Sequence, residues 1–343
     1  MHTEPAASAR GQGRRRIRLW RRHGGDRQCG RGRARRDRPQ AVAAAVQTRD
    51  VVGPAAGGSH VIQQRFDYHA PRSIDEALGL LAAAGEDCAV LGGGTWLIPS
   101  MTYAITRPTR VLDPRHLNLE TIAEDGDALW LGARVTYAAA MAAPVVATQA
   151  PLLASMARQI TGGVSIVGQG TIGGSACYAN PSSDVPACLL ALGARLRLAS
   201  TRGSRDLEAA EFFRGAFTTA RRPDEMLLGI VIPKASPTRR HGYAKLKFST
   251  GSWPIVTAAV TIDRDADGDR VRAALGAATG APLLSEALLP VGAGLDVIEN
   301  FAAGFAARVA ADEWADELAG PGYRRRVAAS IVLRALQQCA ETA

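Results

Sequence analysis

The sequence predicts a mixed helix-and-strand chain in two folded units behind an arginine-rich leader, and three observations predict it. The length, 343 residues, exceeds one ordinary domain. The composition, 47% hydrophobic and 21% charged, is that of a globular enzyme and not of a disordered or fibrous chain. The texture also changes near Ser236, from helices and short strands punctuated by glycine clusters to successive strands followed by helices. Apolar runs such as residues 187–194 fall far short of the roughly 20 residues that cross a bilayer, so no membrane span is expected. The start lacks the apolar core of a secretory signal, and cytoplasmic placement is the expectation.

The formal charge of +9 sits at one end. Residues 1–50 hold 14 arginines and no lysine against 4 acidic residues, whereas the remainder holds 27 basic against 28 acidic. Residues 1–60 are read as a disordered extension and linker, the stretch Val51–Ser59 being rich in Gly and Pro. Such arginines could neutralise nucleic-acid phosphates or direct targeting. They come without the aromatics that stack on bases, so a solvated extension is preferred and nucleic acid is not expected as a partner. Five scattered cysteines form no C-x-x-C pair, which points to a reducing compartment and to no zinc or iron–sulfur site in this chain. His60, His69, His116 and His241 stand singly, and no metal site is called.

Order is expected from Phe66. Ser73 with Glu76 three residues on, and Ile74, Ala77, Leu78 and Leu81 behind it, predict a capped amphipathic helix over 74–84, ended by Gly85. Cys88 to Leu91 reads as a short strand running into Gly92, Gly93 and Gly94. Val111 to Asp113 and Leu129 to Gly132 read as strands, Thr136 opens a helix, and residues 151–160 have helical spacing. A second glycine cluster spans 162–174. Pro186 to Leu192 reads as a buried helix, with strands over 194–198 and 226–233. Tyr243 to Phe248, Ile255 to Ile262 and Val271 to Ala278 read as three antiparallel strands, and the chain from Asp296 as mostly helical. The units expected are therefore 61–235 and 236–343.

Consecutive glycines after a strand let backbone N–H groups enclose a diphosphate that side chains would block. The loop at Gly92 is neither a Walker A loop nor the dinucleotide G-x-G-x-x-G fingerprint, and alone it reads more readily as a tight turn. The second cluster, Thr171 to Ser175 followed by Asn180 to Asp184, repeats the same chemistry about eighty residues later. A long ligand with a diphosphate at its middle would use such paired cradles, with a carboxylate such as Asp184 accepting from sugar hydroxyls. On this reading a Cβ at Gly93 or Gly173 would fill the space that phosphate needs. Ser182, Ser183 and Asp184 lack a nucleophile elbow and a placed histidine, so no hydrolytic triad is read.

The two loops, Val-Leu-Gly-Gly-Gly-Thr-Trp-Leu-Ile-Pro from Val90 and Thr-Ile-Gly-Gly-Ser from Thr171 with Pro181 and Asp184, closely resemble the FAD-binding loops of the medium subunit of molybdenum-containing hydroxylases, the xanthine dehydrogenase and carbon monoxide dehydrogenase family. The likeness runs on through Ala187 to Gly193, Phe212 to Gly215, Glu225 to Pro233, Tyr243 to Lys247 and Tyr323 to Arg326. It implies an α+β fold: a two-part FAD-binding domain of the vanillyl-alcohol-oxidase (PCMH) type, two α/β subdomains splitting near 120–145, then a C-terminal α+β domain with a three-stranded antiparallel sheet and helices.

The same resemblance implies an FAD-dependent oxidoreductase subunit with no acid or base of its own. Electrons would arrive from a molybdopterin-binding large subunit through a [2Fe-2S] small subunit of a heterotrimer and leave to NAD or a quinone. Leu91, Gly92, Gly93, Gly94, Thr95 and Trp96 would hold the FAD diphosphate from one side, and Thr171, Ile172, Gly173, Gly174 and Ser175 from the other. Asp184 would bind the sugar-like chain, Thr161 would lie beside the cofactor, Leu227 would line the ring pocket, and Lys247 would sit near the isoalloxazine. Ser175 stands where many members have Asn, and Gly251 and Ser252 where some carry an arginine-rich stretch. A free-standing FAD oxidase or dehydrogenase is the alternative within the class, and nucleic-acid binding through the leader the alternative outside it.

Overall fold

The computed structural model describes residues 62–320 and 322–341. The leader, with its disordered, nucleic-acid and targeting readings, lies outside the described residues. The ordered part opens with β1 (Asp67–His69), α1 (Ile74–Ala84), β2 (Cys88–Val90), α2 (Leu97–Thr102) and β3 (Arg110–Leu112). The three strands form a small parallel sheet with β3 in the middle. Helix α1 starts as its sequence demands: the Ser73 hydroxyl accepts from the Glu76 amide at 3.1 Å. The Glu76 carboxylate turns back to accept from the amide of Arg72 at 2.8 Å, one residue earlier than in a standard capping box. Its apolar stripe, Ala77, Leu78 and Leu81, is buried with Leu112, Leu117, Leu119, Ala199 and Met226.

The middle of the chain builds a second layer. It runs β4 (Ile122–Asp125), β5 (Ala128–Gly132), α3 (Tyr137–Ala142), α4 (Pro144–Gln149), α5 (Pro151–Ala157), α6 (Gly163–Gln169), α7 (Ile172–Tyr178), α8 (Asp184–Ala191), β6 (Arg195–Ser200), β7 (Gly203–Glu208), α9 (Ala209–Phe212), β8 (Phe213–Gly215), β9 (Thr218–Thr219) and β10 (Met226–Pro233). Strands β4-β5-β10-β6-β7 make a five-stranded antiparallel sheet, and β8 pairs with β9. Strand β10 is central, which explains its nearly unbroken apolar run. The expected second glycine cluster is not a loop throughout: it contains α6 and the start of α7, joined at Gly170. Thr136 and Thr171 cap α3 and α7 through their hydroxyls, and Ser183 caps α8.

The last part consists of β11 (Arg240–Lys247), β12 (Pro254–Arg264), β13 (Asp269–Gly276), β14 (Leu283–Leu289), α10 (Leu295–Ala307) and α11 (Tyr323–Glu341). The sheet has four strands in chain order, one more than expected. The extra strand, β14, pairs antiparallel with β13 from Asp269↔Leu289 to Leu275↔Leu283. Its Leu-Leu-Ser-Glu-Ala-Leu-Leu composition favours helix, and pairing with β13 overrides that propensity. A core of Val256, Val260, Leu275, Phe305, Val332 and their neighbours lies between this sheet and helices α10 and α11. The central core does not stop near Ser236, because Tyr243, Ala259 and Ala274 pack into it together with residues of α5, α8 and β10.

Candidate functional site

The parallel strand β2 ends at Val90, and the chain beyond its carboxyl end opens into the wall of a cavity of about 600 Å³. Ligands of open parallel sheets bind outside such strand ends, and the size suits a cofactor. Both glycine loops face it: Gly92, Gly93, Gly94, Thr95 and Trp96 from one side, Thr171, Gly173, Gly174 and Ser175 from the other. They meet closely. A Cβ on Gly92 would stand 3.0 Å from the Thr171 hydroxyl and 3.8 Å from Gly174 Cα. Among the described residues, the amides of Gly92, Gly93, Gly94 and Thr95 have no acceptor, and neither has that of Gly173. Five backbone donors around one cavity make an anion cradle, of the kind that a diphosphate fills.

The glycines serve a purpose beyond the one expected. A Cβ at Gly93 would lie 1.8 Å from the carbonyl oxygen of Gln169, and one at Gly173 would lie 2.5 Å from that of Ala133. Both residues are therefore required for backbone to meet backbone, before any ligand is considered. Gly94 is the conformational exception, with φ +73 at the turn from the loop into α2.

Asp184, first residue of α8, is 4% exposed at the cavity wall. Tyr243 donates its hydroxyl to Asp184 Oδ1, and Lys245 Nζ donates to the same oxygen at 2.9 Å and to the Gln159 carbonyl at 2.5 Å. Burial lifts the Asp184 carboxyl above its ordinary value, although Lys245 and Tyr243 pull it back. Burial and the same carboxylate push the Tyr243 phenol up. Sequence reasoning did not single out Lys245; it named Lys247, expected near the isoalloxazine. Side chains alternate along β11, so Tyr243 and Lys245 reach the same carboxylate. The register with β12 then shifts between Leu246 and Lys247, and Lys247 Nζ folds back to the Thr250 carbonyl at 2.8 Å. Its charge still acts on Asp184, but it does not line the cavity.

The remaining expected residues divide as follows. Leu227 lines the cavity, re-aimed by a register shift between Leu227 and Gly229 in the β10–β6 pairing, and Thr161 lines it with its hydroxyl 3.5 Å from the Ser252 carbonyl. Leu91 and Ile172 do not line it: the Leu91 amide is bound to the Leu112 carbonyl at 2.8 Å, and Ile172 is 1% exposed in the core. Tyr137 and Tyr178 went unread. Trp96 stacks on Tyr178 with ring centroids 4.5 Å apart, and Tyr137 shares a hydrogen bond of 2.5 Å with Ser175. Trp253 is 49% exposed and lines the cavity. Arg134 and Arg221 bring two cations to it. A cue for Lys245 existed in the sequence, since it stands two residues from Tyr243 and so on the same face of the expected strand.

A mixed α+β fold with paired glycine cradles, unpartnered backbone amides and stacked aromatics fits a dinucleotide-binding protein. The chain belongs to the family described as the FAD binding domain in molybdopterin dehydrogenase, matched over residues 64–235, and is an FAD-dependent oxidoreductase subunit of the molybdenum hydroxylase medium-subunit type. It is 37% identical over 205 residues to the carbon monoxide dehydrogenase medium chain of Afipia carboxidovorans, covering 59% of this chain and 70% of that one. It is 36% identical to the caffeine dehydrogenase subunit beta of a Pseudomonas species, covering 52% and 63%. Among solved structures, carbon monoxide dehydrogenase from Hydrogenophaga pseudoflava lacking the Mo-pyranopterin moiety of its cofactor matches with a TM-score of 0.77 and 30% identity, over 82% of this chain and 99% of that one. No helix among the described residues is long and apolar enough to cross a membrane.

Proposed function

We propose that this chain is the FAD-carrying electron-transfer subunit of a cytoplasmic molybdenum hydroxylase complex. Its partners would be a molybdopterin-binding large subunit and a [2Fe-2S] small subunit, and its acceptor NAD or a quinone. The observation that carries the reading is the convergence of two glycine loops, far apart in sequence, on one cavity whose amides lack acceptors. In this reading residues 61–235 form the FAD-binding domain and 236–343 the C-terminal domain.

Bound FAD supplies the redox chemistry, and the chain supplies position and electrostatics. The amides of Gly92 to Thr95 and of Gly173 would hold the diphosphate, Thr171 keeping the second loop in shape by accepting from Gly174 at 3.1 Å. Asp184, fixed by Tyr243 and Lys245, would accept from the hydroxyls of the sugar-like chain. Leu227 and the Trp96–Tyr178 stack would give apolar and aromatic contact, and Thr161 would lie beside the cofactor.

The test is purification of the full chain with and without its co-purifying partners. The expected result is a yellow protein with a flavin absorption band that gains hydroxylase turnover only when chains with iron–sulfur and molybdopterin motifs are present. Oxidation of a small organic substrate by the lone chain, at the rate of a complete enzyme, would overturn the subunit reading in favour of a free-standing oxidase.

A further inference from the structure

Strand β11 carries both donors that grip Asp184, and it is the outermost strand of its sheet. The main-chain groups that such a strand turns outward have no neighbouring strand to bind. At Tyr243 two glutamines supply the partners. Its amide donates to Gln338 Oε1 at 2.8 Å, and its carbonyl accepts from Gln159 Nε2 at 3.2 Å. Gln338 belongs to α11, and Gln159 follows α5. Gln159 holds β11 at a second point, because its own carbonyl accepts from Lys245 Nζ at 2.5 Å. Helix α11 also lies directly on the strand: a Cβ at Gly242 would stand 1.9 Å from the Ala335 carbonyl oxygen.

The consequence reaches the cavity through Asp184. Tyr243 and Lys245 both donate to Oδ1, and among the described residues Oδ2 has no donor. Asp184 lines the cavity, so Oδ2 is the oxygen left for a ligand hydroxyl. Its direction is set by where Oδ1 is held, and hence by the position of β11 over residues 243–245. Hydrogen bonds weaken steeply with misalignment, so a small slide of β11 would turn Oδ2 away from its ligand.

We propose that Gln338 is a positioning residue of the cofactor site: it fixes Tyr243, which with Lys245 orients the Asp184 carboxylate toward the hydroxyls of the flavin's sugar-like chain. This rests on the reading of the cavity as the FAD site. It goes beyond that reading by giving α11, none of whose residues lines the cavity, a part in cofactor recognition. The effect belongs to one part of the ligand, since riboflavin carries the sugar-like chain and ADP does not.

The experiment uses the full chain stripped of flavin and titrates it calorimetrically with FAD, riboflavin and ADP. Gln338→Leu removes the acceptor of the Tyr243 amide at similar side-chain size, and Gln338→Glu restores an acceptor. With a parental circular dichroism spectrum, Gln338→Leu should bind FAD and riboflavin about threefold to tenfold more weakly and ADP as the parent does. Gln338→Glu should recover most of the loss. Gln159→Leu, which frees the Tyr243 carbonyl, tests the same clamp from the other helix and should show the same ligand selectivity. In a Tyr243→Phe background, where the hydroxyl donor is already gone, Gln338→Leu should cost less than it does alone. Parental riboflavin affinity in folded Gln338→Leu, equal losses for riboflavin and ADP, or full additivity with Tyr243→Phe would each overturn the assignment. If the unaltered chain binds neither FAD nor riboflavin, the cofactor reading itself falls, a result that the variants cannot imitate.

Discussion

Gly93 and Gly79 differ in what surrounds one hydrogen atom. A methyl group at Gly93 would meet the Gln169 carbonyl oxygen at 1.8 Å and its carbon at 2.7 Å, both backbone, so no rotamer change relieves the contact. Gly79 sits exposed inside α1, and a methyl there would meet nothing within 4 Å. Gly93→Ala is therefore expected to lose about 1–3 kcal/mol or more through forced separation of the two loops, whereas Gly79→Ala should gain about 0.5–1 kcal/mol from helix propensity. Urea unfolding of the apo chain measures both. Equal midpoints for Gly93→Ala and the parent would show that the loops do not touch. The sequence revealed that both loops are glycine-rich and raised the expectation that they share one ligand, since repeated chemistry is visible as letters. That Gly93 packs against Gln169 was hidden, because contact across some eighty residues is a tertiary fact. Lys247 looked equivalent to Lys245 because period-two spacing continues to it in the letters, and the bulge beyond Leu246 breaks that equivalence in space.

At the scale of elements, helix α11 is fastened by one buried arginine. Arg324 is 0% exposed and donates to the carbonyls of Ile255, Trp314 and Ala319 and, at 2.7 Å, to Asp316. Asp316 in turn accepts from Ser182 at 3.4 Å, which ties this C-terminal network to the segment leading into Asp184. Burial alone would raise the Asp316 carboxyl, but its bonds to Arg324 and Trp314 bring it below its ordinary value. A carboxylate held low in the folded state contributes its full stabilisation above its unfolded value, near 4, and loses it as the pH falls through the folded value. Thermal stability should thus decline as the pH drops below about 4, and Asp316→Asn should start lower and decline less steeply. Arg324→Met should cost about 3–5 kcal/mol by stranding the carboxylate. A parallel decline in Asp316→Asn and the parent would remove Asp316 from the acid response. Helices with caps and strongly apolar strands were legible in advance, as α1, α8 and β10 show. Strands β4, β7 and β14 were not, because each is polar, short or helix-like in composition and is ordered by its partner strand.

Across the whole molecule, the cavity is bordered by the parallel sheet, the central sheet and the hairpin that joins β11 to β12. The central core continues into the C-terminal sheet through Tyr243, Ala259 and Ala274, and the Asp184–Lys245 pair crosses the same junction. A ligand held by Asp184 should therefore stabilise β11 and β12 as well as the loops that contact it. Binding to the folded state alone adds RT ln(1 + [L]/Kd), about 2.7 kcal/mol when free FAD stands at a hundredfold its Kd. For a chain of this size that is roughly a 5 °C rise in melting temperature. Heating the deflavinated full chain with graded FAD should move a single transition upward in step with the logarithm of concentration, and hydrogen exchange should slow at amides of β11 and β12 together with those of α7 and α8. Two transitions, with only one responding to FAD and exchange in β11 and β12 unaltered, would mean that the C-terminal sheet is energetically separate from the cofactor site despite the core that they share.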